Sequence, residues 1–283
     1  MKPRTDPIRR ATIRPLRTME EYRQCEGVQK QVWGAYAVAA EVLRATQKNG
    51  GAVLGSMVGG KVVGFIYAFL ARRHGRLLHW SHMMAVLPEF RDQGLGFRMK
   101  LMHRKLALAQ GVKSIGWTYD PLQSRNAALN LVRLGAKVEE YIPNYYGRFP
   151  SRIEKGLPSD RFVVNWPIGT KEVEDRLGGN RRPLVWKPAT RINETAMDSR
   201  GNLTNRRVRL RLDAPRLLLE IPPNTDAIRD HAPQLGLEWR RGTRKALERY
   251  LGAGYRVTGF YPPRPETEGR CYYVLSRRQT ASE

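Results

Sequence analysis

Between residues 13 and 166 the spacing of apolar positions changes period repeatedly, and each change marks an element. Residues 13–16 form a short strand-like run. Thr18 with Glu21 three residues on has the capping-box spacing that opens a helix. Ala39, Ala40 and Leu43 predict a second short helix, stopped by Asn49-Gly50-Gly51. Residues 52–58 and 61–70 are apolar, β-rich runs joined by Gly59-Gly60, a two-residue hairpin signal. Residues 77–86 make a third strand, which Pro88 ends. Leu95, Met99, Met102 and Leu106 then recur at helical spacing through 94–110, closed by Gly111. A strand over 113–119, a helix over 124–134 capped by Gly135, and strands over 137–141 and 160–166 complete the series. The predicted order is β-α-α-β-β-β-α-β-α-β-β, an α/β unit with a mixed, mostly antiparallel sheet.

Residues 1–12 read as a disordered basic lead. Residues 167–205 are polar with little periodicity and read as a linker or an extended excursion. Over 206–283 the pattern gives a strand within 208–221, a helix over 226–251 and strands over 255–261 and 271–276. This β-α-β-β tail echoes the end of the first domain: Leu134-Gly135-Ala136-Lys137-Val138 and Ala253-Gly254-Tyr255-Arg256-Val257 each precede a strand, a loop and a second strand. The predicted organisation is a lead at 1–12, a main domain at 13–166, a linker at 167–205 and a degenerate half-copy at 206–283 packing on the main domain. The tail lacks a glycine-rich loop, so one cofactor site is expected.

Composition adds limits. At 283 residues and 41% hydrophobic, the chain can bury a real core. Cys25 and Cys271 cannot build a disulfide framework and have no metal-ligand spacing, which points to a cytoplasmic setting without a metal. The charged, Pro-broken start has no signal-peptide run, and no stretch is long enough to span a membrane. The formal net charge of +24 favours polyanions, but the arginines are scattered and no nucleic-acid-binding signature accompanies them. Contact with nucleic acid is therefore expected to be non-specific.

The stretch that carries chemistry is Val86-Leu87-Pro88-Glu89-Phe90-Arg91-Asp92-Gln93-Gly94-Leu95-Gly96-Phe97. A hydrophobic strand ends, a short turn follows, and Gly94 and Gly96 open a long helix. Glycine lets the backbone approach a ligand, and the first helical amides with the helix dipole suit a pyrophosphate. Arg91 can add a charge-assisted contact. The pattern is neither the dinucleotide fingerprint nor a Walker loop.

The whole pattern, V-x-P-E-x-R-x-x-G-x-G between a strand and an amphipathic helix, resembles motif A of the GNAT superfamily of acyl-CoA N-acyltransferases. The resemblance covers about residues 13–166 and implies the GNAT fold. It implies that Arg91, Asp92, Gln93, Gly94, Leu95, Gly96 and Phe97 hold the pyrophosphate of acetyl-CoA or another acyl-CoA. The backbone of Met84, Ala85 and Val86 would pair with the pantetheine arm. The helix over 124–134 resembles motif B, with Asn126 and Asn130 as cofactor contacts sharing a face at i, i+4 spacing. In the full length and the Asn144-Tyr145-Tyr146-Gly147 loop, the chain is similar to a long bacterial branch that includes succinyl-CoA:amino-acid N-succinyltransferases.

His82, four residues before Val86, is expected to share a face with Met84 and Val86 and to serve as general base, a role a histidine at this spacing takes in serotonin N-acetyltransferase-like members. His79 points to the other face. Many members carry an acidic tyrosine four residues before the glycine that closes motif B, but that position here is Leu131. Tyr145, Tyr146 or Tyr119 are the available substitutes. Arg72, Arg73, Arg125 and Arg148 are candidates to face a carboxylate on donor or acceptor. The expected reaction is direct acyl transfer in a ternary complex to a small-molecule amine, an amino acid among them. A homodimer is left open. The alternatives are a basic nucleic-acid- or protein-binding protein on a GNAT scaffold, or a protein N-acetyltransferase.

Overall fold

The computed structural model describes residues 11–147, 157–180 and 184–277. The chain divides into two compact units: residues 1–117 with 151–153 and 167–170, and residues 118–150, 154–166 and 171–283. The division falls inside a strand, well before the expected boundary at 166.

The first unit runs β1 (Thr12–Pro15), α1 (Met19–Trp33), α2 (Ala40–Lys48), β2 (Ala52–Val58), β3 (Lys61–Arg73), β4 (Arg76–Val86) and α3 (Leu95–Ala109), and ends within β5 (Ile115–Tyr119). β1, β2, β3 and β4 pair antiparallel in that order, whereas β5 lies parallel to β4, so the sheet is mixed as its pattern predicts. The hairpin at Gly59-Gly60 forms with both residues at positive φ, 55° and 78°. Thr18 caps α1 by accepting from the Glu21 amide at 3.2 Å. The Glu21 carboxylate accepts from the Arg14 guanidinium and from the Arg17 amide, and the Thr18 amide also favours its charged form.

Both faces of this sheet are covered, which is why its strands read as nearly continuous apolar runs. Tyr22, Cys25, Val28 and Leu43 from α1 and α2 pack with Val53, Phe65, Tyr67 and Ala85 on one face. Met99, Met102 and Leu106 of α3 pack with Leu54, Ile66, Ala68 and Met84 on the other.

The second unit holds α4 (Ser124–Ala127), a π-helical turn at Ala128–Leu134, β6 (Lys137–Ile142), β7 (Arg161–Trp166) and α5 (Lys171–Leu177). It continues with β8 (Thr190–Arg191), β9 (Asn193–Met197), β10 (Leu203–Val208), β11 (Arg216–Ile221), α6 (Thr225–His231), α7 (Pro233–Gly252), β12 (Tyr255–Tyr261) and β13 (Cys271–Arg277). β6 and β7 form a hairpin, β9 pairs with β10, and a four-stranded sheet runs β12-β13-β11-β8.

Two readings change here. Residues 167–205 carry a helix and the β9–β10 hairpin rather than a featureless linker. Their polar residues make the turn, where Asp198 accepts from the amides of Arg200 and Asn202. The helix expected over 226–251 is two helices, because Pro233 has no N–H to continue α6 and starts α7 at a position suited to it.

Candidate functional site

The glycine-rich loop forms as expected from the chain end of β4. Pro88–Phe90 make one 3-10 turn, Asp92 takes φ 60°, and Gly94 takes φ 79° just ahead of α3. The first α3 hydrogen bond is donated by Arg98 to Gly94 O, so the amides of Leu95, Gly96 and Phe97 stand ahead of the helical ladder. Gly94 is required by its left-handed backbone. Gly96 is not: its φ is ordinary, and an added Cβ would meet only the Met84 methyl at 3.7 Å, normal contact. A glycine inside a helix costs about 0.5–1 kcal/mol relative to alanine, so Gly96 is a cost the fold does not demand. A backbone that must stay open to a phosphate explains it, and the residues present fit that group. Arg91 is exposed, and its Nε donates to Val86 O at 2.9 Å, which anchors the guanidinium over the end of β4. Gln93 reaches back to Glu89 O at 3.4 Å.

β4 pairs with β3 through Val86, but with β5 only at His79↔Ile115 and Trp80↔Gly116 among the described residues. The backbone of Met84, Ala85 and Val86 therefore presents an edge unpaired with β5, with the Val86 carbonyl already taken by Arg91, and a pantetheine arm needs such an edge.

The β3–β4 register slips between Tyr67↔Met83 and Ala68↔Ser81, leaving His82 as an extra, bulged residue. This overturns the expected face of its side chain. His82 packs its ring 6.0 Å from Tyr67 and 6.0 Å from Phe69, on the α1/α2 side, while Met84 lies in the α3 cluster. Burial lowers the His82 pKa, so the imidazole is neutral near pH 7 and able to take a proton. His79 does face the other way. It is fully buried, with Nδ1 3.0 Å from Nε2 of His103.

Beside that histidine pair the structure reveals a group the pattern had not singled out. Lys100 of α3 is 2% exposed, with Nζ 3.1 Å from Ser81 Oγ and 3.7 Å from the centre of the Trp117 ring. Among the described residues no carboxylate pairs with it, and burial lowers its amine to about 7. The available signal was its stripe: Gly96, Lys100, His103 and Ala107 share the spacing of a buried helix face.

The remaining asparagine and tyrosine candidates belong to the second unit. The π turn breaks the α-helical i, i+4 rule between Asn126 and Asn130: Asn126 is exposed and Asn130 is buried. Tyr145 and Tyr146 follow β6 in a turn held by Ser159, whose backbone O accepts from the Tyr145 amide and whose Oγ accepts from the Tyr146 amide. The Tyr146 hydroxyl is 3.3 Å from Thr118 Oγ1. Tyr119 is a packing residue, buried against Phe162 and 3.4 Å from the Tyr273 hydroxyl, with its pKa raised by burial. Of the four candidate arginines, Arg72 donates to Gly75 O in the β3–β4 turn, Arg73 ends β3, and Arg125 is exposed on α4. Arg148 lies outside the described residues.

Residues 16–136 match the family described as the acetyltransferase (GNAT) family. No curated protein matches the chain. Among solved structures, the ribosomal-protein-S18-alanine N-acetyltransferase from Escherichia coli aligns at 18% identity over 56% of this chain and 95% of its own, with a TM-score of 0.44. A GNAT-family acetyltransferase from Streptococcus pneumoniae aligns at 18% over 55% and 97%, with 0.42. An aminoglycoside 6'-acetyltransferase type Ii aligns at 17% over 56% and 99%, with 0.45.

Proposed function

We propose, from a chain whose residues 16–136 match the acetyltransferase (GNAT) family, that it moves an acyl group from acetyl-CoA or succinyl-CoA to the amine of a small molecule, an amino acid in the first instance. The observation that carries this reading is the run from β4 into α3. A strand edge at Met84–Val86 unpaired with β5 leads into a helix start whose Gly96 the fold itself does not require.

The residues divide the work. The glycines and amides at the start of α3, with the Arg91 guanidinium, hold the pyrophosphate, and the β4 edge orients the arm. A bound acyl-CoA supplies a thioester carbonyl open to attack by an amine. His82, neutral and half-buried among Tyr67 and Phe69, accepts the proton that the attacking amine sheds. Asn126, whose side chain is exposed, stays a candidate cofactor contact, and buried Asn130 serves first as packing. Tyr145 and Tyr146 stay candidate proton donors on sequence grounds. Arg72, Arg73 and Arg125 are the candidates for a carboxylate on a succinyl donor or amino-acid acceptor.

The test crosses acetyl-CoA and succinyl-CoA with the amino acids and a set of simple amines, reading free thiol. Turnover that depends on both donor and amine is expected. His82→Ala should lower kcat/KM by about a hundredfold and remove the acid limb of the pH profile. No amine-dependent thiol release with either donor would refute the assignment, and an unimpaired His82→Ala enzyme would refute the base.

A further inference from the structure

The buried amine of Lys100 sits at the point where the β4–β5 ladder stops. Trp80↔Gly116 is its last pair, and Ser81 and Trp117 are the next residues of the two strands. Lys100 Nζ touches both, hydrogen-bonded to Ser81 Oγ and stacked over the Trp117 ring. The fork opens onto the same β4 edge that the proposed cofactor arm would follow. That arm has about twelve bonds between its phosphate oxygen and its sulfur, the length of about four extended residues. Counted back from Val86, four residues reach His82, next to Ser81.

Resting on the proposed acyl-CoA reading, we infer that Lys100 is a catalytic residue, the acid that gives its proton to the departing CoA sulfur. The amine nitrogen forms its bond to the acyl carbon, the carbon–sulfur bond breaks with its electron pair on sulfur, and Lys100 protonates that sulfur and becomes neutral. His82 holds the proton from the amine, and solvent resets both groups. The two proton carriers lie on opposite faces of β4, His82 on the α1/α2 side and Lys100 on the α3 side. Base and acid thus stay apart, so neither neutralises the other.

The environment suits the role. Among the described residues the groups facing Lys100 are Ser81, Trp117, His103 on its own helix and His79 beyond it, all neutral or basic, with no carboxylate to lock the ammonium. Burial brings the amine to about 7, where it is both charged enough to donate and weak enough to release. The position that carries the family's usual acid is Leu131 here, so the proton needs another source.

The experiment titrates CoA itself on the protein, following thiolate ultraviolet absorbance, with desulfo-CoA as control. Wild-type protein is expected to lower the thiol pKa of bound CoA by about one unit, a tenfold preference for thiolate. Lys100→Met should abolish that shift, reduce kcat with acetyl-CoA about a hundredfold with KM little changed, and erase the alkaline limb of the profile. Lys100→Arg should not restore kcat, because its guanidinium does not release a proton. A bound thiol that titrates like free CoA in the wild type overturns the inference even if no variant folds. So does a Tyr145→Phe, Tyr146→Phe enzyme that loses turnover while Lys100→Met keeps it. Failure of wild-type protein to bind either CoA or desulfo-CoA would instead remove the acyl-CoA reading on which this one stands.

Discussion

At the scale of single residues, the two glycines of the loop separate fold from function. Gly94 occupies φ 79°, where any side chain is strained, so Gly94→Ala should destabilise the protein by about 1–2 kcal/mol. Gly96 has ordinary helical backbone and only the Met84 methyl near a new Cβ. Gly96→Ala should therefore stabilise α3 by about 0.5–1 kcal/mol while weakening acyl-CoA binding. Denaturation midpoints and acetyl-CoA titration, measured on the same two variants, check both halves. A Gly96→Ala protein that binds acetyl-CoA as tightly as wild type would mean that the amides beyond Gly94 are not the phosphate cradle.

At the scale of elements, α7 shows how the second unit is fixed. Arg240, almost wholly buried in that helix, makes paired bonds to both oxygens of Asp120 at 2.8 and 2.5 Å. The Asp120 carboxyl is held below its ordinary value: burial opposes ionisation, but the guanidinium favours it. Removing the carboxylate strips a buried guanidinium of its paired bonds, so Asp120→Asn is expected to cost about 3–5 kcal/mol, and Asp120→Asn with Arg240→Met much less. Urea denaturation of the two variants measures this, and equal losses in the single and double variants would contradict it. The network also shows what sequence could not reach. Periodicity located β2 to β4, α3 and β12–β13 within a few residues, because each buries a regular face, and Gly59, Gly94 and Gly135 marked turns by their backbone needs. It missed the bulge at His82 and the π turn after Ala127, since one extra residue in a ladder leaves composition unchanged yet turns every later side chain. It missed Lys100 because a charged residue on a mostly apolar helix reads as solvated until the strands it contacts are known.

At the scale of the whole molecule, burial of basic and neutral groups sets how stability follows pH. Glu21, brought to about 2 chiefly by Arg14, and Asp120, held low by Arg240, favour the folded state above the ordinary carboxylate range and lose that contribution as pH falls through it. His79, His82 and His103 are all lowered by burial, so the unfolded chain binds more protons below about 6.5 and acid destabilises further. Lys100 acts higher: about 7 when folded against an ordinary 10.5 when unfolded. Between these values unfolding takes up a proton, so stability rises with pH, by at most about 1.4 kcal/mol per unit from this group. The buried thiols of Cys25 and Cys271 have the opposite sign. Their pKa values are raised, so above the ordinary 9.0 the unfolded chain releases protons that the folded one keeps, and stability falls. The maximum is therefore expected near pH 9, on the alkaline side of neutrality. Lys100→Met should be more stable than wild type at pH 7, by a margin that shrinks toward pH 9, because it removes the rise and leaves the thiol limb intact. Denaturant titrations of both proteins at half-unit steps from pH 6 to 10 decide it. Parallel curves would show that Lys100 is solvated or paired in solution, and would remove the low pKa on which its acid chemistry depends.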